Sequence, residues 1–306
     1  MDPIKIENEQ LRVTVSPSYG ARVVSLLDKA VGREWMAQGG YSPNTGEDAQ
    51  YRAEECVGWD ECFPTVSPWD ASGTSWGRRL RDHGDVWGRE WTVVRSSEIE
   101  LTLRYDDPQF RFERRLRVDG PHLRADYRLD NLGGTPLPYL WALHALLAVS
   151  DRDRIVLDSV DTVSVTHLAR DGVSVIKASL PWPGPSADCL EPLDRVQPVQ
   201  SRFAAKLYAT GLAGRHVAVG HGEKWLTIAW DRTIQDLGIW LNYGGWPQPG
   251  NIHHIALEPT TAPVDHLGQA LDLPGPATLA VGESRSWMAT MSVGPREQAN
   301  ESNTHD

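Results

Sequence analysis

The chain has 306 residues, of which 40% are apolar and 23% are charged, a balance typical of a soluble globular protein with a substantial core. No apolar run approaches the roughly 20 residues that a membrane-spanning helix needs, so the sequence predicts no membrane partner. The formal net charge of −11 argues against a nucleic-acid partner, because phosphate binding depends on clustered Lys and Arg.

The chain starts MDPIKIENEQLRV, which lacks the basic region and apolar stretch of a secretory signal, so we expect a cytoplasmic protein. Its three cysteines, Cys56, Cys62 and Cys189, are an odd number without CxxC spacing. They are therefore predicted to be free thiols in a reducing compartment. We expect the protein to be a monomer or a homodimer.

Short runs of alternating polarity predict antiparallel strands along the whole chain. In LRVTV, for example, Leu11, Val13 and Val15 share one face while Arg12 and Thr14 take the other. Similar runs are IELTLRYD, FRFERRLRV, HLRADYRLDN, TVSVTHL and KWLTIAW. Without long amphipathic helices, repeats or linkers, the simplest fold is all-β, a single large β-sandwich spanning residues 1–295.

The segment LRDHGDVWGREW, residues 80–91, concentrates His83 with acidic, basic and aromatic residues in a loop that its glycines let turn sharply. The arginines just before it, Arg78, Arg79 and Arg81, are either surface charges or groups that grip an anionic or polyhydroxylated ligand. Further along, Asp119 and Gly120 separate two alternating runs and predict a hairpin with His122 facing solvent.

The apolar run LPYLWALHALLAV contains one ionisable residue, His144. A buried histidine of this kind is either a core residue whose ring nitrogens are satisfied or a functional group. Composition leaves the run open between helix and strand, because Leu and Ala favour a helix. The proline-rich stretch 178–198 is predicted to be a long irregular loop, and residues 296–306 a disordered tail.

The strand-like IHHIALE places Ile252, His254, Ala256 and Glu258 on one face. Glu258 at its end is either a solvated edge charge or a partly buried base. A metal site built from His253, His254 and His266 is disfavoured, because adjacent histidines on a strand point to opposite faces. Thirteen tryptophans exceed the needs of a core, and indoles stack well on sugar C–H faces.

Taken in order, these segments resemble the galactose mutarotase-like superfamily, which includes aldose 1-epimerases and hexose-phosphate epimerases. The resemblance covers nearly the whole chain. It rests on NEQLRVTVSPSYGARVVSLLDKAVGREWM, GWDECFPTV, LRDHGDVWGREW, NLGGTPLPYLWALH and LEPTTAPVDHL. It implies a β-supersandwich of large antiparallel sheets with a sugar cleft, and it places His144 on or beside a strand facing that cleft.

The resemblance also implies roles for three residues. His144 matches the family's general acid, Glu258 its general base, and His83 the histidine that binds the sugar near the ring oxygen. The implied reaction is interconversion of the α and β anomers of an aldose by acid–base ring opening, without a metal or other cofactor. The implied partner is a small-molecule sugar.

Further sugar contacts are expected from Trp59, Asp60 and Glu61 in GWDE, from Trp240 and Asn242 in WLNYGGW, and from Arg81. Asp82 or Asp85 is expected to orient His83, with Trp87 and Trp91 supporting the pocket. Classical galactose mutarotases have an Asn-Arg motif and a His-x-Tyr-Phe-Asn sequence where this chain has GWDECFPTV and HALLAV. The sugar, neutral or anionic, is therefore left open.

Two alternatives belong to other functional classes. A carbohydrate-binding protein would keep the cleft without turnover and would have no need of His144 together with Glu258. A glycoside hydrolase or lyase would normally need a second carboxylate about 5 to 10 Å from Glu258.

Overall fold

The computed structural model describes residues 2–39, 45–46, 48–174, 178–184, 191–247, 250–274 and 278–296. Within them the chain is built almost entirely of strands, with one short helix, α1 (Leu267–Leu271), and 3-10 turns at Ala53–Glu55, Val86–Gly88 and Val199–Ser201. The strands are β1 Ile4–Glu7, β2 Leu11–Ser16, β3 Arg22–Asp28, β4 Arg33–Glu34, β5 Trp59–Cys62, β6 Trp69–Asp70, β7 Arg79–Leu80, β8 Thr92–Ser96, β9 Glu100–Asp106, β10 Phe110–Asp119, β11 His122–Asn131, β12 Leu137–Pro138, β13 Ala142–Leu147, β14 Arg154–Val156, β15 Thr162–Arg170, β16 Val173–Ser174, β17 Ser179–Pro181, β18 Phe203–Ala209, β19 His216–His221, β20 Lys224–Trp230, β21 Asp236–Tyr243, β22 His253–Thr260, β23 Thr278–Leu279 and β24 Ser284–Gly294.

Two large antiparallel sheets form a sandwich. The first has the order β1-β2-β3-β5-β13-β22-β21-β18-β15-β16, with β4 added beside β3 and β17 beside β15. The second has the order β14-β19-β20-β24-β11-β10-β9-β8. Two small pairs, β12-β23 and β6-β7, lie outside these sheets. The prediction of an all-β sandwich is confirmed.

The local patterns fold as their polarity predicts. Leu11, Val13 and Val15 are buried in β2, and the hairpin of β10 and β11 turns at Gly120 with φ near +55°, a value that glycine adopts without strain. His122, just after this turn, is exposed. Among the described residues no helix is long and apolar enough to cross a membrane.

The predicted proline-rich loop and the predicted tail lie partly outside the described residues. The proline-rich stretch contains a short strand, β17, which pairs with β15 through Val163 and Leu180. Residues 185–190, including Cys189, lie outside the described residues, as does the predicted tail except for Arg296. Cys56 and Cys62 are free and buried, as predicted.

A continuous apolar core lies between the sheets and draws on residues from Ile6 to Val293. One buried ion pair crosses it: Arg114 of β10 donates through Nη1 to Oε1 of Glu61 in β5 at 2.7 Å. Because side chains alternate along a strand, Glu61 faces this core while its neighbour Asp60 faces the opposite surface of the first sheet. That opposite surface carries the candidate site.

Candidate active site

A row of polar side chains crosses the middle of the first sheet. Asp60 in β5 pairs with His144 in β13, and Glu258 in β22 pairs with Gly238 in β21. Gly238 pairs in turn with Tyr208 in β18. On either side of His144, β13 pairs Ala142 with Thr260 and Leu146 with Ala256, a register that sets His144 beside Glu258. The sheet therefore aligns a carboxylate, an imidazole, a second carboxylate and a phenol on one face.

A cavity of about 180 Å³ opens above this row. It is lined by acidic, basic and aromatic side chains from four strands and from the loops around them. The lining residues are Tyr51, Cys56, Val66, Ser67, Asp82, His83, His144, Leu146, Lys206, Trp240, Trp246, Glu258 and Asp265. The structure thus brings His83, His144 and Glu258 together, although they are far apart in the sequence.

His144 is held from below by a buried ion pair. Its Nδ1 lies 2.7 Å from Oδ1 of Asp60, and Oδ2 of Asp60 lies 2.5 Å from Nη2 of Arg22. Burial opposes ionisation of Asp60, but the charges of Arg22 and His144 outweigh it and hold the pKa of this carboxyl below its usual range. An ionised carboxylate only accepts hydrogen bonds, so Nδ1 carries a proton and Nε2 is the ring nitrogen left for a ligand.

His83 owes its position to an unusual backbone. Its φ is near +59°, and the next residue, Gly84, has φ near +72° and packs so closely on Phe63 that a Cβ would lie 2.0 Å from the Phe63 carbonyl oxygen. Only glycine fits there, which explains the His-Gly pair in physical terms. The His83 ring stacks on Tyr51 with centroids 3.6 Å apart and lies 4.7 Å from the ring of His144.

A second carboxylate orients His83. Nδ1 of His83 lies 3.1 Å from Oδ1 of Asp82, whereas Asp85 instead accepts from Arg78 at 2.5 Å. Burial opposes ionisation of Asp82, but the hydrogen bond and charge of His83 prevail and lower its pKa. Each cavity histidine is therefore fixed by its own carboxylate.

Glu258 is a buried carboxylate with one unpaired oxygen. Its side chain is 1% exposed, and its Oε2 lies 2.5 Å from Nζ of Lys206. Its Oε1 is buried and has no hydrogen-bond partner among the described residues. Burial opposes ionisation, but Lys206 and then His144 outweigh it and lower the pKa of Glu258. The prediction of a solvated edge charge is therefore wrong, and the alternative of a buried base fits the geometry.

The three histidines considered as metal ligands each have a different partner. Nε2 of His254 accepts from the indole N–H of Trp240 at 3.2 Å, and burial lowers its pKa to about 3, so it stays neutral. Nε2 of His253 lies 2.7 Å from the carbonyl oxygen of Gln197, and His266 caps helix α1 by accepting from the backbone N–H of Gln269. These three histidines do not converge, as predicted.

Four predicted sugar contacts lie beneath or behind the cavity lining. Asp60 is fully buried and reaches the cavity only through His144. Trp59 and Glu61 face the core, because alternation sends them to the side opposite Asp60, and the indole N–H of Trp59 donates to Glu61. Asn242 is buried, with its side-chain amide bonded at both ends to the backbone of Trp246, so it shapes the turn that carries this tryptophan.

The arginine that was predicted to contact the sugar also has protein partners. Arg81 donates to the carbonyl oxygens of Gly84, Asp85 and Ala49 and is absent from the cavity lining. Trp240 does line the cavity, as expected of a sugar contact. Trp87 and Trp91 are fully buried and support the His83 loop, with indole N–H groups that donate to carbonyl oxygens inside it.

Four lining residues with charged or aromatic side chains were not predicted from the sequence. Lys206 was detectable, since it is a lone cation in the apolar run FAAKLYA, the same signal that singled out His144. Tyr51, Trp246 and Asp265 lie in segments without periodicity, and only the folded chain brings them to the cavity. Asp265 accepts from the hydroxyl of Tyr208 at 2.7 Å.

One set of described residues could hold a metal ion. Cys62, His83 and His144 each offer a ligand atom, and these atoms lie within 4.8 Å of one another. Two imidazoles and a thiol are ligands that zinc accepts. The same imidazoles, each backed by a carboxylate, can equally serve as proton donors and acceptors.

Comparison with known proteins identifies relatives by structure only. No protein-family model matches the chain, and no curated protein sequence matches it. Among solved structures, a protein from Synechocystis sp. PCC 6803 matches with a TM-score of 0.68 at 15% identity, covering 96% of both chains. A candidate aldose 1-epimerase from Escherichia coli K12 matches with a TM-score of 0.67 at 15% identity, covering 96% of this chain and 99% of that one. A galactose mutarotase-like protein from Clostridium acetobutylicum matches with a TM-score of 0.66 at 14% identity, covering 96% and 95%. At these identities the likeness shows the fold.

Proposed function

We propose that this chain, which has the galactose mutarotase-like fold, is an enzyme of the aldose 1-epimerase type that interconverts the α and β anomers of an aldose. One observation carries the proposal: a buried carboxylate with a free oxygen, Glu258, and a carboxylate-held imidazole, His144, face the same cavity. A base and an acid on neighbouring strands are what ring opening of a cyclic aldose requires.

The reaction follows from these two groups. Oε1 of Glu258 takes the proton of the C1 hydroxyl as the bond between C1 and the ring oxygen breaks, which leaves C1 as an aldehyde. Nε2 of a protonated His144 gives its proton to the ring oxygen. Rotation about the C1–C2 bond and the reverse transfers then close the ring on the other carbonyl face, so both protein groups regain their starting state.

The remaining lining residues support binding and orientation. His83 lies beside His144, so its free Nε2 is placed to hydrogen-bond the sugar near the ring oxygen. Trp240 and Trp246 form an aromatic wall with their rings edge to face, 6.1 Å apart. Such a wall suits the C–H face of a sugar ring.

The test is NMR magnetisation exchange between α and β anomers over a panel of neutral, phosphorylated, acidic and sulfonated aldoses. We expect wild-type protein to accelerate exchange for at least one member of the panel. His144→Gln and Glu258→Gln should each lower the rate by about 10² to 10⁴-fold while sugar affinity is largely kept.

His122→Gln is the matched control, because His122 is exposed on the second sheet and lies outside the cavity. Sugar binding without accelerated exchange would replace the proposal with a carbohydrate-binding protein. Release of reducing sugar from a glycoside would replace it with a hydrolase.

A further inference from the structure

Lys206 and Glu258 meet across an intervening strand. Lys206 lies on β18 and Glu258 on β22, and β21 runs between them. The register pairs Lys206 with Trp240 and Glu258 with Gly238, so the two charged side chains approach each other over Gly238. The resulting contact is 2.5 Å, and the side chains of Lys206 and Glu258 are only 11% and 1% exposed.

Gly238 leaves room for this contact. A Cβ at Gly238 would lie 3.2 Å from Oε2 of Glu258 and 3.3 Å from Nζ of Lys206. Its backbone is not in the left-handed region, so the position does not require glycine for conformational reasons. Because Gly238 has no side chain, the ammonium group of Lys206 has room to reach the carboxylate of Glu258.

We propose that Lys206 is a positioning residue for the base of the reaction: acting over Gly238, it binds Oε2 of Glu258, turns Oε1 toward the sugar and keeps the buried carboxylate charged. This inference rests on the proposed function. It explains why one oxygen of Glu258 is paired while the other is buried without a partner.

The other charged and titratable groups around Glu258 cannot replace Lys206. His144 on β13 and His83 in the loop after β7 face it and are each bound to a carboxylate of their own. Cys62 on β5 and Tyr208 on β18 are uncharged, because burial raises the pKa of both groups well above the usual values. Among the described groups whose charge acts on Glu258, Lys206 is thus the permanent cation.

The first experiment compares the pH dependence of kcat/KM for wild type, Lys206→Met and Lys206→Arg. An opposite charge within a few ångströms lowers a carboxyl pKa by about 1 to 3 units, so the acid limb of the Lys206→Met profile should move up by about that many pH units. Lys206→Arg should keep the wild-type limb. A purely structural role would lower activity at every pH without moving the limb.

A second pair of variants leaves every ionisable group in place. Gly238→Ala should separate the charges and lower kcat by at least about tenfold with little change in KM, because it disturbs the base and not the sugar-binding wall. Gly134→Ala is the control, since a Cβ there meets nothing within 4 Å and the residue is exposed.

The outcomes separate the two proposals. Wild-type protein that accelerates no anomer exchange overturns the proposed function. Active wild type with a Lys206→Met profile whose acid limb is unmoved, or with a Gly238→Ala variant as active as Gly134→Ala, overturns the role of Lys206 alone.

Discussion

Glu61 and Glu258 are two buried glutamates that are each paired with a buried cation, yet the rest of their surroundings differ. Between the sheets, Glu61 accepts from Arg114 and from three further side chains, Trp59, Tyr127 and Trp141, at 2.8 to 3.1 Å, so both of its oxygens are bonded. On the outer face of the first sheet, Glu258 accepts from Lys206 through one oxygen, and in the described part of the chain the other oxygen has no partner.

This difference distinguishes a carboxylate that stabilises the fold from one available for chemistry. A buried carboxylate with both oxygens bonded rigidifies its neighbours and offers no unpaired oxygen to a ligand. A buried oxygen without a partner costs stability, and the cost is explained when a ligand supplies the missing hydrogen bond. Burial and ion pairing alone would have ranked the two residues as equals.

Loss of the Glu61 charge should produce the largest change in stability. Burial raises the pKa of Glu61 to about 7. Above that pH, where the carboxylate is charged, Glu61→Gln leaves Arg114 fully buried without a counter-charge, which should lower the free energy of unfolding by about 3 to 5 kcal/mol. Urea denaturation against the exposed control Glu9→Gln measures this. Activity per folded molecule should stay near wild type, and a selective loss of activity would mean that Glu61 is not purely structural.

Breaking the Lys206–Glu258 pair should lower the free energy of unfolding by a smaller amount, and a second substitution should restore part of it. Lys206→Met strands a buried carboxylate and should lower the free energy of unfolding by about 3 kcal/mol, the lower end for a broken buried pair, because the cavity admits water. Adding Glu258→Gln removes the stranded charge. The double variant should regain at least half of the lost stability in the same denaturation assay while remaining inactive; a double variant less stable than Lys206→Met contradicts the coupling.

Removal of the aromatic wall should affect binding more than stability. Trp240→Ala should raise KM by about tenfold, since an aromatic contact contributes on the order of 1 kcal/mol beyond its buried area. Trp225→Ala, on the second sheet, is the control, because its indole donates to Gly222 away from the cavity. Equal effects of the two substitutions on KM would remove Trp240 from the binding site.

The smallest effect is expected at Tyr51. Its hydroxyl lies 3.4 Å from Nδ1 of His144, a weak contact, while its ring stacks on His83. Tyr51→Phe should therefore change kcat/KM by less than about threefold and Tyr51→Ala by about tenfold, because only alanine removes the stack. Steady-state kinetics that show equal losses for both variants would assign the role to the hydroxyl.

Part of the fold and three residues of the candidate site could be predicted from the sequence. Period-two alternation identified β2, β9, β10, β11, β15 and β20, and the ordered resemblance singled out His83, His144 and Glu258, which the structure places in one cavity. Alternation also predicts that Trp59 and Asp60 lie on opposite faces of the sheet. It does not predict which of the two faces is the core and which carries the cavity.

The remaining features depend on contacts between distant segments. The Arg22–Asp60 pair joins residues 38 positions apart, and the pairing of Lys206 with Glu258 depends on a strand order that local pattern does not encode. In the sequence, Gly238 looks like an ordinary strand glycine. Only the folded chain shows that charged groups lie on both sides of it.

The most direct test of the contrast between the two glutamates is to measure anomer exchange and the free energy of unfolding on the same preparations of wild type and Glu258→Gln. We predict that exchange falls by about 10² to 10⁴-fold. We also predict a smaller loss of stability than the about 3 to 5 kcal/mol expected for Glu61→Gln, because Lys206 lines the cavity and Asp265 is a second negative charge acting on it. Full exchange activity in Glu258→Gln, or an activity loss explained by unfolding, would contradict the assignment of the free oxygen of Glu258 as the base.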